Sequence, residues 1–154
     1  MRILTLIAVG IVTVGGMVGS SHSARSQIWI TCAVEGQTCF VPWTWMTVWY
    51  GKNGAFRTRS GVSSIPCDNS IFGDPLVGQP KSCLIFFNDG SAMWNTCTSE
   101  GGTCGIGRNS LVRFGDENGN VWVYGSFGPG EVSCTRSVFG DPAFGVVKIC
   151  QVTQ

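Results

Sequence analysis

The chain of 154 residues carries a formal net charge of +1, with 10 lysines and arginines against 9 acidic residues. A balance this even argues against electrostatic capture of nucleic acid or of an anionic membrane surface. Aromatic residues make up 11% of the chain and there are 22 glycines, a composition that favours strands and tight turns over helices.

The first residues have the pattern of a secretory signal peptide. A charged start is followed by an apolar run over residues 3–18 and then by small residues. We expect cleavage after Ser23 or Ala24, which would remove residues 1–24. A membrane anchor is the alternative, but a span needs about 20 apolar residues, more than this glycine-interrupted run provides. The sequence therefore predicts a secreted, extracellular protein with no membrane span in its mature part.

One motif of the mature part occurs twice. Residues 67–83 read C-D-N-S-I-F-G-D-P and continue through a glycine and a lysine to a cysteine. Residues 134–150 repeat these landmarks in the same order. Such a duplication indicates one structural unit used twice. We therefore divide the mature chain into a first Cys-rich β repeat with the joint, residues 25–91, and a second Cys-rich β repeat, residues 92–154.

The eight cysteines are shared equally between the repeats: Cys32, Cys39, Cys67 and Cys83, then Cys97, Cys104, Cys134 and Cys150. An even count, a duplicated spacing and a signal peptide predict disulfides formed in an oxidising compartment. The sequence leaves their connectivity open. We expect neighbouring cysteines to pair within each repeat, because short loops close readily. No metal or other cofactor is expected, since there is no C-x-x-C pair and the one histidine, His22, lies in the removed segment.

Each repeat also contains a hairpin signal. Asn53-Gly54 in the first copy and Asn118-Gly119 in the second lie between apolar runs, the strongest short-range indication of a β-hairpin. Each repeat is thus predicted to be a hairpin-based set of about four short strands. The predicted fold is all-β, with two pseudo-symmetric repeats packed as one small disulfide-stapled β-sandwich or barrel.

The duplicated Phe-Gly-Asp-Pro segments have two interpretations. Asp74 and Asp141 each precede a proline, a common turn device, and each is placed to pair across its loop with Lys81 or Lys148. Contact of the aspartates with a polar ligand or calcium is the alternative. We favour the loop-shaping role and keep both aspartates as candidate ligand-binding residues.

Together, the segments T-C, E-G-x-T-C, aromatic-Gly and C-x-N-S-x-F-G-D-P-x-x-G-x-x-K-x-C resemble a Cys-rich tandem repeat of secreted bacterial and fungal proteins. The resemblance covers nearly all of the mature chain. It implies an extracellular module like a carbohydrate-binding module, of the kind often appended to polysaccharide-active enzymes.

The first repeat alone carries the aromatic segment V-P-W-T-W-M-T-V-W-Y. Its Trp43, Trp45 and Trp49 are evenly spaced, which predicts one face of an extended strand, and Tyr50 follows them. The second repeat has Arg113 where the first has Trp49. Because a core required by the fold would be apolar in both copies, this asymmetry favours exposure of at least part of the tryptophan face. Burial of these rings against the second repeat is the alternative.

Catalysis has little support in the sequence. Without a histidine in the mature part, neither a Ser-His nor a Cys-His arrangement can form. Paired carboxylates, Asp74 with Asp141 or Glu35 with Glu100, are the remaining option, as in glycoside hydrolysis. We predict a non-enzyme that binds a polysaccharide or glycan, because exposed indoles suit the C–H faces of sugar rings.

The candidate ligand-binding residues are Trp43, Trp45, Trp49, Tyr50, Asp74, Asp141 and Arg113. The alternative function is a secreted protein-interaction factor, such as an effector, an inhibitor or a matrix component, that uses the same face on an extracellular protein.

Overall fold

The computed structural model describes residues 27–153, so the predicted signal peptide and its cleavage site lie outside the described residues. This range is all-β, as predicted, with twelve strands and two one-turn α-helices. None of its helices has the length and apolarity to cross a bilayer.

The first repeat comprises six strands and one helix: β1 (Gln27–Val34), β2 (Thr38–Phe40), β3 (Thr47–Lys52), β4 (Ala55–Ser60), β5 (Ser64–Pro66), α1 (Asn69–Phe72) and β6 (Ser82–Asn88). An antiparallel sheet, the first sheet, has the order β1-β6-β3-β4, and β2 pairs with β5 in a small second layer. The predicted turn joins β3 to β4, with φ of 53° at Asn53 and 86° at Gly54. Two successive positive φ angles are what a tight hairpin turn of this kind requires.

The second repeat has the same topology in β7 (Trp94–Ser99), β8 (Thr103–Ile106), β9 (Ser110–Asp116), β10 (Val121–Phe127), β11 (Gly130–Ser133), α2 (Arg136–Phe139) and β12 (Ile149–Thr153). Its four-stranded sheet has the order β7-β12-β9-β10, and β8 pairs with β11. Both four-stranded sheets are open, so residues 27–153 adopt the layered form of the predicted fold and not the closed one.

The four disulfides pair neighbouring cysteines within each repeat, as expected: Cys32 with Cys39, Cys67 with Cys83, Cys97 with Cys104, and Cys134 with Cys150. In each repeat one bridge joins the first strand of the large sheet to the small sheet. The other joins the end of the small sheet to the last strand. The two layers are thereby linked covalently, and four such bridges indicate an oxidising environment.

The two repeats pack through different surfaces. Leu111 of the second repeat is fully buried in the core of the first. Trp94 of the second repeat lies 6.0 Å from Phe87 of the first and 5.9 Å from Tyr124. The Ser126 hydroxyl of β10 donates to the backbone carbonyl of Phe40. The four-stranded sheet of the second repeat carries Leu111, Trp94 and Tyr124 on one side, and this side is therefore covered in part by the first repeat.

The bridges give a first prediction. Replacing Cys67 and Cys83 together by serine should lower the free energy of unfolding by about 2–5 kcal/mol. Replacing Cys32 and Cys39 should cost about 0.7 kcal/mol less, because the chain-entropy term grows with the length of the closed loop. Urea unfolding of both double variants would measure the difference. An equal or larger loss for the shorter loop would contradict the entropic account.

Candidate functional site

The first sheet has one face turned to the core and another, here named the outer face, turned to solvent. The strand register places Trp29 opposite Phe86, and Trp49 opposite Leu84. Directly opposed side chains lie on the same side of a sheet. Alternation sends the intervening residues, such as Ile85, to the core side, where Ile85 is fully buried. The outer face therefore carries a group of large apolar side chains.

The outer face has no ionisable side chain on the four strands of the first sheet. The register assigns to it Gln27, Trp29, Thr31, Val34, Thr47, Trp49, Phe56, Thr58, Ser60, Ser82, Leu84, Phe86 and Asn88, together with Gly51. Arg57 and Arg59 of β4 lie opposite Tyr50 and Val48 and thus belong to the other side of the sheet. The result is an aromatic surface bordered by hydroxyl and amide groups.

Aromatic rings on the outer face support one another edge to face. The ring centroids of Trp29 and Trp49 are 5.5 Å apart at an interplanar angle of 88°. Trp29 also lies 5.3 Å from Phe86, and Trp49 lies 6.1 Å from Phe56. Edge-to-face pairs at such distances are favourable, by roughly 0.5–1.5 kcal/mol each beyond their buried area. The four rings thus form one continuous cluster across β1, β6, β3 and β4.

Trp43 and Trp45 do not lie on the strand that the sequence predicted. β3 begins at Thr47, and the amide of Met46 donates to the carbonyl of Trp43 at 2.9 Å to close a turn before it. Because side chains alternate regularly only in extended backbone, the prediction that these residues share one strand face with Trp49 is wrong. Burial of the Met46 side chain anchors this turn to the core.

The turn holds Trp45 as an exposed platform. The Trp45 ring stacks on Trp43 at 5.8 Å with an interplanar angle of 18°, and Trp43 stacks on the buried Phe87 at 5.8 Å and 8°. Trp45 is 72% exposed, whereas Trp43 is partly buried and packs against the core of the first repeat. Of the two residues, only Trp45 thus presents most of its ring to solvent.

Two adjoining hollows lie on this surface and together form the aromatic furrow. The first, of about 430 Å³, is lined by Trp29, Trp45, Met46, Thr47, Trp49 and Phe86. The second, of about 350 Å³, is lined by Trp29, Trp49, Phe56 and Leu84. Trp29 and Trp49 form the wall that the hollows share. The structure thus brings Trp45 and Trp49, two of the predicted site residues, to one place.

Tyr50 does not reach the furrow. Its side chain is fully buried on the core side of β3, and its ring stacks on Phe72 at 5.0 Å. The hydroxyl donates to Glu35 at 2.6 Å and lies 2.8 Å from the amide oxygen of Asn69. Burial, followed by the adjacent Glu35 carboxylate, raises the pKa of Tyr50 well above its ordinary value. Its prediction as a ligand-binding residue is corrected, because no ligand on the outer face can touch it.

A buried lysine lies between two carboxylates in the first repeat. The Nζ atom of Lys81 is 3.3 Å from Glu35 and 3.3 Å from Asp74 and donates to the carbonyl of Gln79 at 2.8 Å. The hydrogen bond from the Tyr50 hydroxyl is the main reason why the pKa of Glu35 lies below its ordinary value. Burial works to lower the pKa of Lys81, but the two carboxylates outweigh it and keep that pKa raised.

The second repeat has the equivalent cluster. Lys148 is 1% exposed, and its Nζ atom is 3.0 Å from Asp141 and 3.6 Å from Glu100. The hydrogen bond from Lys148 holds the pKa of Asp141 below its ordinary value. Burial works to raise the pKa of Glu100, yet the backbone amide and charge of Lys148 and the charge of Arg136 keep it lowered.

Asp74 and Asp141 therefore support their loops. The expected pairs with Lys81 and Lys148 are present, and each aspartate also accepts a hydrogen bond from a backbone amide two residues on. Within residues 27–153, no group of three or more His, Cys, Asp or Glu side chains is placed to hold a metal ion. The arrangement favours the loop-shaping interpretation over a role in ligand contact.

Arg113 is engaged within the second repeat. Its guanidinium lies between the rings of Trp94 and Trp122, at 4.5 Å and 4.0 Å from their centroids. The group donates to Gln151 at 2.6 Å and pairs with Asp89 of the joint at 3.3 Å. Both faces of the guanidinium and its N–H groups thus contact other residues of the chain. Arg113 was a predicted ligand-binding residue, and these internal contacts occupy its side chain.

Of the eight residues that line the furrow, the sequence predicted only Trp45 and Trp49. Trp29, Phe56, Leu84 and Phe86 were not among the candidate residues, although all four line it. A signal for two of them was present in the uninterrupted apolar run L-I-F-F at residues 84–87. A strand without alternation is apolar on both faces, and only one face of an open sheet is needed for the core. Trp29 and Phe56 reach the site only through strand pairing.

Comparison with known proteins identifies a viral relative but no family. No protein-family model matches the chain. The chain is similar to Uncharacterized protein L701 of Acanthamoeba polyphaga mimivirus, with 28% identity over 147 residues, covering 83% of this chain and 71% of that protein. The name of that viral protein states no activity.

The lysine clusters predict loss of stability in acid. Glu35, Glu100 and Asp141 have folded pKa values below their ordinary values of 4.5, 4.5 and 3.8. A depressed carboxyl pKa contributes stability that is present above the ordinary value and is lost as pH falls through the folded one. The midpoint of thermal unfolding should therefore fall steadily below about pH 4.5.

Circular dichroism melts across this pH range provide the measurement. Glu35→Gln should lower the midpoint at neutral pH and flatten its decline in acid, because one of the coupled carboxylates is gone. Glu131→Gln removes an exposed carboxylate outside both clusters and serves as the control, with a profile like that of the unaltered protein. An unchanged acid profile in Glu35→Gln would rule out this cluster as a source of the pH dependence.

Proposed function

We propose that this is a secreted, non-catalytic protein that binds a polysaccharide or glycan in the aromatic furrow. The exposure of the furrow carries the proposal: Trp45 is 72% and Trp29 is 55% exposed, although both are large apolar side chains. Soluble proteins rarely expose a large contiguous apolar surface, and where they do it usually marks a binding site. Secretion is supported by the signal-peptide pattern and the four disulfides.

The chemistry of the outer face suits a sugar polymer. Sugar rings combine apolar C–H faces with hydroxyl groups, and the furrow combines indole and phenyl rings with neighbouring hydroxyls from Thr47, Thr58 and Ser60. An aromatic floor with a few polar groups at its margin binds by contact area and is oriented by hydrogen bonds. The indole N–H of an exposed tryptophan adds a donor.

Association with a second copy is a poor alternative for this face. The edge strand β4 carries Arg57 and Arg59, whereas the equivalent positions of the covered strand β10 are Val123 and Gly125. Charges on an edge strand oppose the approach of another chain. The first repeat also packs the Phe40 ring against Gly128, and the second repeat has Gly105 in place of Phe40. A second copy thus lacks the surface that would repeat the internal contact.

The carboxylates support a non-catalytic role. Glycoside hydrolysis needs one carboxylic acid whose pKa is raised, so that it can give a proton to the leaving group. Among the carboxylates that the sequence offered, the pKa values of Glu35, Glu100 and Asp141 are all lowered by their partners. These groups stay ionised and paired, and they act as supports of the loops.

Binding of an extracellular protein is the second candidate. Tryptophan is enriched at the energetic centres of protein interfaces, and the furrow supplies three tryptophans together with two phenylalanines. Because the two candidates use the same surface, mutation of the furrow alone cannot distinguish them. They differ in the binding partner: an insoluble polysaccharide or an extracellular protein.

Depletion by insoluble polysaccharides tests the proposal. Cellulose, chitin, xylan, mannan and β-glucan should be compared, and at least one should remove the protein from solution. Trp45→Ala combined with Trp49→Ala should weaken the binding by roughly 5- to 150-fold, since two stacking rings contribute about 1–3 kcal/mol. Phe144→Ala is the matched control, because Phe144 is 92% exposed in a loop of the second repeat, away from the furrow.

A loss of depletion in the double variant, with retention in Phe144→Ala, supports the glycan function. Retention of full binding in the double variant would show that another surface binds the polysaccharide. If no polysaccharide depletes the protein and a single extracellular protein is captured in a furrow-dependent way, the second candidate takes precedence.

A further inference from the structure

Resting on the proposed function, we infer that the furrow receives the interior of a linear, uncharged glycan laid along β3. Recognition of a terminal sugar is the contrasting mode, and the two differ in the shape of the site that they need. An enclosed pocket fits a chain end, whereas an open trough fits several consecutive rings.

The hollows follow one line along β3. Thr47 lines the first hollow, and Trp49 separates the first from the second. A third hollow of about 430 Å³ includes Gly51 and Ser82, which lie opposite each other two positions beyond Trp49 and Leu84. From Thr47 to Gly51 the strand advances by about 13 Å, since each residue adds about 3.3 Å. The three hollows together, here named the trough, are thus long enough to contact more than one sugar ring.

Both ends of the trough are open. At the start of β3 the exposed Trp45 lines one side of the first hollow but belongs to a turn that projects into solvent. At the other end Lys52 and Asn53 are exposed residues of the hairpin. Within residues 27–153 no element closes either end, so a polymer can extend past the site in both directions.

The absence of charge on the outer face indicates an uncharged polymer. Its thirteen outward side chains on the four strands are all non-ionisable. The third hollow has three charged side chains at its margin. Glu35 accepts hydrogen bonds from Tyr50 and Lys81, and Lys81 is buried between carboxylates. Lys52 is exposed at the hairpin end, outside the two hollows of the furrow. Affinity for such a ligand should respond little to salt.

The second repeat does not offer an equivalent trough. Where the first repeat has Trp49 between Trp29 and Phe56, the second has Arg113 between Trp94 and Trp122. Gln151, a hydrogen-bond partner of Arg113, takes the place of Leu84 in the register. Part of this surface is also covered by the first repeat. Residues 27–153 therefore offer a single trough.

Titration with oligosaccharides of increasing length tests the inference. Neutral oligomers of glucose, xylose, mannose and N-acetylglucosamine, from monosaccharide to hexasaccharide, should be followed by tryptophan fluorescence. In at least one series the affinity should rise with length and then level off, with one oligomer bound per protein and little change between low and high salt. Trp45→Ala should weaken binding of the hexasaccharide by about tenfold, the upper range for one stacked ring, and leave the shortest bound oligomer nearly unaffected.

The outcomes separate this inference from the proposed function. Affinity that is complete at the monosaccharide or disaccharide, or that is lost when the terminal sugar is modified, overturns interior recognition and leaves glycan binding in place. A preference for acidic polymers that disappears in high salt overturns the uncharged class. If no soluble oligomer and no insoluble polysaccharide binds, both the inference and the proposed function fail. Phe144→Ala should match the unaltered protein throughout, and near-ultraviolet circular dichroism confirms that each variant is folded.

Discussion

The packing of two equivalent repeats through non-equivalent surfaces is the constraint on which the rest of the structure depends. When like units associate head to tail, one copy of the receiving surface is covered and the other remains open. In this protein the covered copy includes Leu111 and Trp94, and the open copy includes their counterparts Thr47 and Trp29. The aromatic furrow is thus exposed because, within residues 27–153, no preceding repeat covers this surface. Arg57 and Arg59 lie on the adjoining edge strand β4.

A rigid frame is needed to keep large apolar rings in water without collapse. The frame has two parts in each repeat: disulfides that join the layers, and a buried lysine that ties two carboxylates and the following loop together. A lysine such as Lys148, at 1% exposure, is tolerated only because Glu100 and Asp141 neutralise it. The same groups that looked like catalytic or metal-binding candidates in the sequence are therefore parts of the scaffold.

The two repeats have chemically different side chains at one equivalent position of their large sheets. At one position of the shared fold, the first repeat places Trp49 and the second places Arg113, each between two aromatic rings. The guanidinium is hydrogen-bonded to Gln151 and paired with Asp89, so its polar groups are satisfied within the chain. The indole at the equivalent place lines the exposed aromatic furrow. In the described part of the chain, the two copies therefore differ in the surface that this position exposes.

The all-β class and the duplication were determined by the sequence itself, because turn residues act over a few positions. The cysteine pairing was left open by the sequence, although the expectation that neighbouring cysteines close short loops was correct. The Asn53-Gly54 hairpin and the four bridges formed as predicted. The site was decided by tertiary structure. Even spacing placed three tryptophans on one strand, yet a turn closed at Met46 separated them, and β1, β4 and β6 brought Trp29, Phe56 and Phe86 to Trp49. Which residues share a face across strands depends on pairing and register, and these are long-range contacts that no local pattern records.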